Sequence, residues 1–202
     1  MGAPHQISLL GTGEPTLAPE PRFTRTQLDA GSWVDVAPAF LLGSDTLLVD
    51  LIERVPWHQG RRWMFERMVD DPRLSHWFRR ADPPPHPVLG VARSALEARY
   101  GVPLRGPALN YYRDGQDSVA PHADRELREL DDTIVVILTL GACRPFRIRP
   151  FPAAGARSRD LAPGSGDLLV MGGTCQREWE HGVPKVARAG PRISAMWRWV
   201  RR

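Results

Sequence analysis

The stretch "LNYYRDGQDSVAPHADRE", residues 109–126, decides how this chain is read. It opens as a β-strand with aromatic and amide side chains, turns through "RDGQD", and then sets His122 and Asp124 two residues apart. Side chains alternate along a strand, so Asn110 and Tyr112 share one face, and His122 and Asp124 share another face if the strand continues. A sheet face that carries an imidazole, a carboxylate, an amide and a phenol is not built to pack aliphatics. It points to a polar cavity between strands.

Working outward, the residues after Gly101 have the texture of short strands. "PALNYYRD", "TIVVILTL", "PFRIR", "GDLLVM", "EWEHGV" and "RISAMWRWV" are β-branched or alternating runs between Gly, Pro and Asp turn signals. "FPAAGARSRDLAPGSG" reads as a loop between two of them. Before Gly101 the chain is turn-rich and then helical, with "SWVDVAPAFL" as a short β-like piece. "SDTLLVDLIERVPW" places Leu47, Leu48, Leu51, Ile52 and Val55 on one helical stripe, with Ser44 as the expected N-cap and Pro56 as the stop. "DPPPHPVLGVARSALEARYG" predicts a second helix that starts near Pro87, faces Val88, Val91, Ala95 and Leu96 inward, and stops at Gly101. Helices followed by many short strands imply an α+β fold whose second half is a sandwich or barrel. A chain of 202 residues fits a single domain, with residues 1–105 as helical support and 106–202 as the strand-rich core.

Bulk properties exclude several classes. No apolar run approaches the roughly 20 residues of a membrane span, and the N-terminus has neither a basic start nor a sustained apolar segment, so a cytoplasmic protein without a secretory signal is expected. Cys143 and Cys175 are the only cysteines, which argues against a disulfide framework or a cysteine-rich zinc site. The net charge is +4, and Lys185 is the single lysine. The whole surplus lies in the second half, 15 basic against 11 acidic residues in 106–202.

His181 in "EWEHGV" is a distant second imidazole on another predicted strand. Two neutral imidazoles and one carboxylate can cover one face of an octahedral metal, the arrangement of non-haem Fe(II) oxygenases. A zinc hydrolase, a cupin, or surface side chains in a loop would satisfy those three residues equally well. Near the C-terminus, Arg192 and Arg198 are an even number of residues apart, opposite Ile193. Two guanidiniums aimed into an interior require an anion, and a dicarboxylate suits them. An exposed basic strand is the competing reading.

Taken together, NxY, HxD, the distant His and RxxxxxR resemble the AlkB family of Fe(II)- and 2-oxoglutarate-dependent dioxygenases. The resemblance runs from "DPRLSHW" through "LNYYRDGQDSVAPHADRE", "TIVVILTLGACRPFRIR" and "GDLLVMGGTCQREWEHGVPK" to "GPRISAMWR". It implies a double-stranded β-helix (jelly-roll) core at 106–202, with supporting N-terminal helices and a substrate lid within 1–105. It implies His122, Asp124 and His181 as ligands of Fe(II), with 2-oxoglutarate and O2 as cosubstrates. Arg192 and Tyr112 fall at the distal carboxylate of 2-oxoglutarate, Arg198 and Asn110 at its metal-chelating end, and Ser194 near the same cosubstrate. The implied reaction is oxidative demethylation of N-alkylated bases in DNA or RNA, a repair activity that releases aldehyde, succinate and CO2. The implied protein works as a monomer on nucleic acid, away from membranes.

Departures concern the substrate. "SHWFRRADPPPHP" stands where relatives carry a tyrosine-rich lid, and Trp77 and Phe78 in it could stack a base or simply pack. Trp57 could line a nucleic-acid groove or sit beneath the barrel. Arg125 stands where some relatives have an acid that reads the base, followed by Glu126. Arg144, Arg147, Arg149, Arg157 and Arg159 form a ribbon that could meet phosphate or remain a solvated face. A same-fold oxygenase acting on a small molecule or protein, or a non-catalytic nucleic-acid-binding module, are the alternative functions.

Overall fold

A computed structural model describes residues 11–64, 66–79, 81–152 and 158–200. Its frame is an antiparallel sheet of seven strands, in the order β2 (Thr24–Gln27), β3 (Ser32–Ala37), β13 (Leu168–Gly173), β10 (Thr133–Gly141), β15 (Arg192–Val200), β8 (Arg105–Tyr112) and β7 (Leu74–Trp77). A four-stranded sheet faces it, in the order β12 (Arg159–Leu161), β11 (Phe146–Pro150), β14 (Trp179–Val183) and β9 (Val119–His122). Two small pairs complete the strands: β1 (Thr16–Leu17) with β4 (Leu41–Leu42), and the hairpin of β5 (Arg61–Met64) with β6 (Arg67–Asp70). The helices are α1 (Ser44–Arg54), α2 (Pro87–Tyr100) and the short α3 (Cys175–Glu178).

The run "TIVVILTL" becomes β10, every residue of it buried, because both faces of the large sheet are covered. Its Val136 and Leu138 join Ile193, Ala195 and Trp197 of β15 under the helices, against Leu47, Leu51, Leu89 and Leu96. Its Val135 and Ile137 face the other way and meet Phe146, Ile148 and Val183 of the small sheet. The central strands β10 and β15 therefore divide their side chains between the two faces of the large sheet. On β15 the second face carries Arg192, Ser194, Met196 and Arg198, which aims them between the sheets, as their even spacing implies.

The six predicted strands after Gly101 are all present, and the structure adds to them. β12 forms inside the segment read as a loop, pairing with β11 through Phe146↔Leu161. Residues 11–105 are not simply helical support: β2, β3 and β7 extend the large sheet. Residues 153–157, including Arg157, lie outside the described residues, as do Arg80 and the two C-terminal arginines.

Both predicted helices form, with two corrections. Ser44 does not cap α1: Gly43 holds that position in the left-handed region at φ 67, where a Cβ would stand 2.8 Å from the Glu14 backbone. The Ser44 hydroxyl instead accepts a hydrogen bond from Ser165. In α2 the buried stripe is Val88, Leu89, Ala92 and Leu96, while Val91 is 56 % exposed and Ala95 faces solvent. His86 caps this helix by accepting from the Val88 N–H, and Gly101 ends it in the left-handed conformation.

Candidate metal and cosubstrate site

The "RDGQD" turn is a built reversal. Asp117 accepts from the backbone N–H of Arg113 at 2.9 Å and from its guanidinium at 2.8 and 2.9 Å. Burial pushes the Asp117 carboxyl up, but the Arg113 hydrogen bonds and charge outweigh it and hold the group below its usual value. The chain thus returns as β9, which pairs with β14 so that His122 stands directly opposite His181. Gly182 permits the approach: a Cβ there would lie 2.8 Å from the Val119 carbonyl oxygen and 3.0 Å from Pro121 N.

Asp124 is not on the strand. β9 ends at His122, and Asp124 leads into a single 3-10 turn over 125–127. Its backbone N–H donates to Gln176 Oε1 at 3.0 Å, which fixes the departure and turns the carboxylate back toward the imidazoles. One donor atom from each of His122, Asp124 and His181 lies within 4.8 Å of the others. His122 Nδ1 donates to the Ala120 carbonyl oxygen at 2.9 Å, which leaves Nε2 facing the site, 3.8 Å from Asp124 Oδ1. Burial, followed by the nearby His122 and Arg198, pushes His181 well below the ordinary histidine range, so it is a neutral imidazole at physiological pH.

Two neutral imidazoles and a carboxylate are the donor set of a divalent transition metal with one face left open. The fit is visible at Asp124 Oδ2, which is buried and accepts no hydrogen bond among the described residues. Arg198 Nε approaches that oxygen at 3.0 Å without hydrogen-bond alignment, and its Nη2 donates to Oδ1 at 3.1 Å.

These groups open on a cavity of about 390 Å³ between the sheets. Asn110, Tyr112, Ser194 and Arg198 line it together with the three donors, and Asn110 and Ser194 are register partners on β8 and β15. Arg192 sits behind this wall, 0 % exposed and paired in register with Tyr112. It donates to the Pro163 carbonyl at 3.2 Å and to Thr139 Oγ1 at 3.1 Å, and its Nε has no partner among the described residues. Burial lowers its pKa to about 10, which leaves it a cation at neutral pH. Burial pushes the Tyr112 phenol up, against the pull of the neighbouring arginines.

The sequence-derived substrate residues divide. Trp77 lines the cavity rim, 53 % exposed, with the Arg198 guanidinium 5.9 Å from its ring. Glu126 is not among the lining residues but accepts from Arg198 Nη1 at 3.2 Å. Phe78 packs instead on the helix-side core and against His76, which takes it out of the cavity. Trp57 is beneath the large sheet, 5.2 Å from Tyr111, with its indole N–H donated to the Ile52 carbonyl. The Arg125 side chain lies outside the described residues. Three arginines of the ribbon are engaged, Arg147 with Asp160, Arg149 with Glu180, and Arg144 buried on backbone carbonyls, while Arg159 is exposed on β12. Sequence reading missed Gln176, Phe146, whose ring stacks 5.6 Å from His181, and Arg73 in the cavity wall.

Two facing antiparallel sheets with a His-Asp-His set at their mouth define a jelly-roll protein built around one metal. The profile of the 2OG-Fe(II) oxygenase superfamily matches residues 48–198, and the chain belongs to that superfamily, whose members use Fe(II), 2-oxoglutarate and O2. Within it the chain falls with the AlkB homologues. It is 32 % identical over 174 residues to the rat Alpha-ketoglutarate-dependent dioxygenase alkB homolog 3, covering 76 % of this chain and 59 % of that protein. The human protein of that name is 30 % identical over 97 % of this chain and 70 % of its own length. The mouse DNA oxidative demethylase ALKBH2 is 29 % identical over 55 % of this chain and 50 % of its own. Among solved structures, a prolyl hydroxylase from Trichoplax adhaerens in complex with a hypoxia inducible factor peptide gives a TM-score of 0.61 at 12 % identity, covering 83 % of each chain. A Pseudomonas putida prolyl-4-hydroxylase gives 0.58 at 16 % identity, covering 84 % of this chain and 92 % of that one. At those identities the likeness is one of fold. Among the described residues no helix is long and apolar enough to cross a membrane.

Proposed function

We propose that this chain is an Fe(II)- and 2-oxoglutarate-dependent dioxygenase that removes alkyl groups from nitrogen atoms of nucleobases in DNA or RNA. The observation that carries the chemistry is the convergence of His122, Asp124 and His181 on one cavity that also presents Asn110, Tyr112 and Arg198. The nucleic-acid part rests on the names of the AlkB relatives and on the exposed rim.

His122 and His181 would hold the metal through ring nitrogens and Asp124 through a carboxylate oxygen. When bound, iron would supply oxidising chemistry with O2 as the oxidant: one oxygen atom would go into succinate as 2-oxoglutarate loses CO2, and the other into the alkyl group, which would leave as aldehyde. Arg192 and Tyr112 neutralise and orient the distal carboxylate in a dry recess. Arg198 and Asn110 hold the other end, and Arg198 also keeps the Asp124 carboxylate in place. Trp77 offers an aromatic face at the mouth, and Glu126 an acceptor for an exocyclic amino group. The β5–β6 hairpin precedes Arg73 in the chain, its base closed by the Asp71 N–H donated to the Gly60 carbonyl. Its Trp63 is 69 % exposed, a surface suited to stack on an unpaired base.

Anaerobic addition of Fe(II) and then 2-oxoglutarate is expected to give a weak visible charge-transfer band that His122→Ala abolishes. Under air, methylated oligonucleotide should stimulate succinate formation. No band in the unsubstituted protein contradicts the cofactor assignment. Band and succinate without any response to oligonucleotide would move the substrate to a small molecule or protein.

A further inference from the structure

Tyr112 stands between two arginines in one row of the large sheet. On one side its register partner is Arg192 on β15. On the other, β7 pairs with β8 through Leu74↔Tyr111 and Ser75↔Asn110, so the next residue, Arg73, falls opposite Tyr112. Neighbouring strands are about 4.8 Å apart, which puts both side chains beside the phenol. Arg73, Ser75 and Trp77 line the cavity, as the even spacing on one face requires.

The charges at this end are unanswered. Arg73 Nε and Nη1 are both buried and have no hydrogen-bond partner among the described residues, and Arg73 makes no salt bridge among them. Asp71, two residues away in the chain, forms an ion pair with Arg62, and Asp117 pairs with Arg113. Arg144 lies over the Tyr112 ring at 5.6 Å, but its terminal nitrogens donate to the carbonyls of Asp114, Asp117 and Pro184. Three guanidiniums act on the Tyr112 phenol, and Arg73 pulls on it harder than Arg192 or Arg144. Two buried N–H donors of a guanidinium without an acceptor are costly to keep unless a ligand supplies one.

We propose that Arg73 is a second guanidinium for the distal carboxylate of 2-oxoglutarate, closing on it across Tyr112 from Arg192. The carboxylate is then held by a phenol and by cations on both sides, a forked geometry that favours a dicarboxylate over a monocarboxylate of equal length. This rests on the reading of the cavity as a 2-oxoglutarate site.

The test is an anaerobic titration of the Fe(II)-loaded protein with 2-oxoglutarate and, in parallel, with 2-oxopentanoate, which lacks the distal carboxylate. Arg73→Gln is expected to weaken 2-oxoglutarate about tenfold or more while leaving 2-oxopentanoate unchanged, with Arg73→Lys in between. Circular dichroism melting of both variants checks that they fold, and Arg73→Lys preserves the test should Arg73→Gln not fold. Equal 2-oxoglutarate affinity in Arg73→Gln and the unsubstituted protein overturns the proposal. Unchanged 2-oxoglutarate affinity together with weakened binding of a single-stranded oligonucleotide also overturns it and reassigns Arg73 to a phosphate. Failure of the unsubstituted protein to bind 2-oxoglutarate refutes the cosubstrate site itself, a result separate from any effect of Arg73.

Discussion

Replacing Arg192 by methionine separates what this residue does for the fold from what it does for a ligand. Arg192 is fully buried, and its pKa falls from 12.5 to about 10. That shift corresponds to roughly 3 kcal/mol against keeping the charge in place. Methionine removes that penalty but withdraws donors from the Pro163 carbonyl and Thr139 Oγ1, each a loss of about 1–3 kcal/mol when the acceptor stays buried. The two losses total about 2–6 kcal/mol against that relief of roughly 3, so Arg192→Met should destabilise the apo protein by no more than ~3 kcal/mol, roughly 6–12 °C in Tm for a chain of this size. Cosubstrate binding has no such compensation. Truncating one partner of a buried, hydrogen-bonded charge pair costs about 2–5 kcal/mol, or roughly 30-fold to several thousand-fold in the 2-oxoglutarate dissociation constant. Thermal melting of the apo protein gives the first quantity and an anaerobic Fe(II)/2-oxoglutarate titration the second. Loss of the fold, or a folded variant that binds 2-oxoglutarate as the unsubstituted protein does, would refute the reasoning.

Further outcomes test the turn, the strand contact and the rim. Gly182→Ala introduces a Cβ 2.8 Å from Val119 O; β9 must shift, and Fe(II) affinity should fall about tenfold, as outer-shell changes do, by competition with a chromogenic chelator. Asp117 has a folded pKa below its unfolded 3.8, so its contribution is present above pH 3.8 and is lost as pH falls through the folded value. Asp117→Asn should therefore destabilise by about 1–3 kcal/mol at pH 7, with the gap closing below pH 3.8 in denaturant melts. Trp77→Ala should raise the KM for methylated oligonucleotide about tenfold, the worth of one stacking contact, with the 2-oxoglutarate requirement unchanged.

Much of the catalytic half was legible because its strands are long and bury both faces or alternate cleanly. β10 is buried throughout and mostly apolar, and β15 sets Ile193, Ala195 and Trp197 against Arg192, Ser194 and Arg198. The strands of the first half were less legible because burial does not pattern them. β2 and β5 are exposed at every position, and β1 and β4 are two residues long. In α2 the apolar residues admit two phases, and docking of Val88, Leu89, Ala92 and Leu96 selects the one that leaves Val91 outside. Asp124 kept its place near His122 although the strand ended first, because Gln176, distant in sequence, holds its backbone. Arg73 gave no signal beyond one arginine in "DPRL". Its position follows only from the pairing of β7 with β8.

The most direct measurement is mass spectrometry of a single-stranded oligonucleotide carrying one N-methylated base, incubated with the protein, Fe(II), 2-oxoglutarate and air, with succinate counted in parallel. Loss of the methyl group in step with succinate, absent in His122→Ala, is the predicted result. Succinate formed while every methylated DNA and RNA oligonucleotide remains intact would contradict the account.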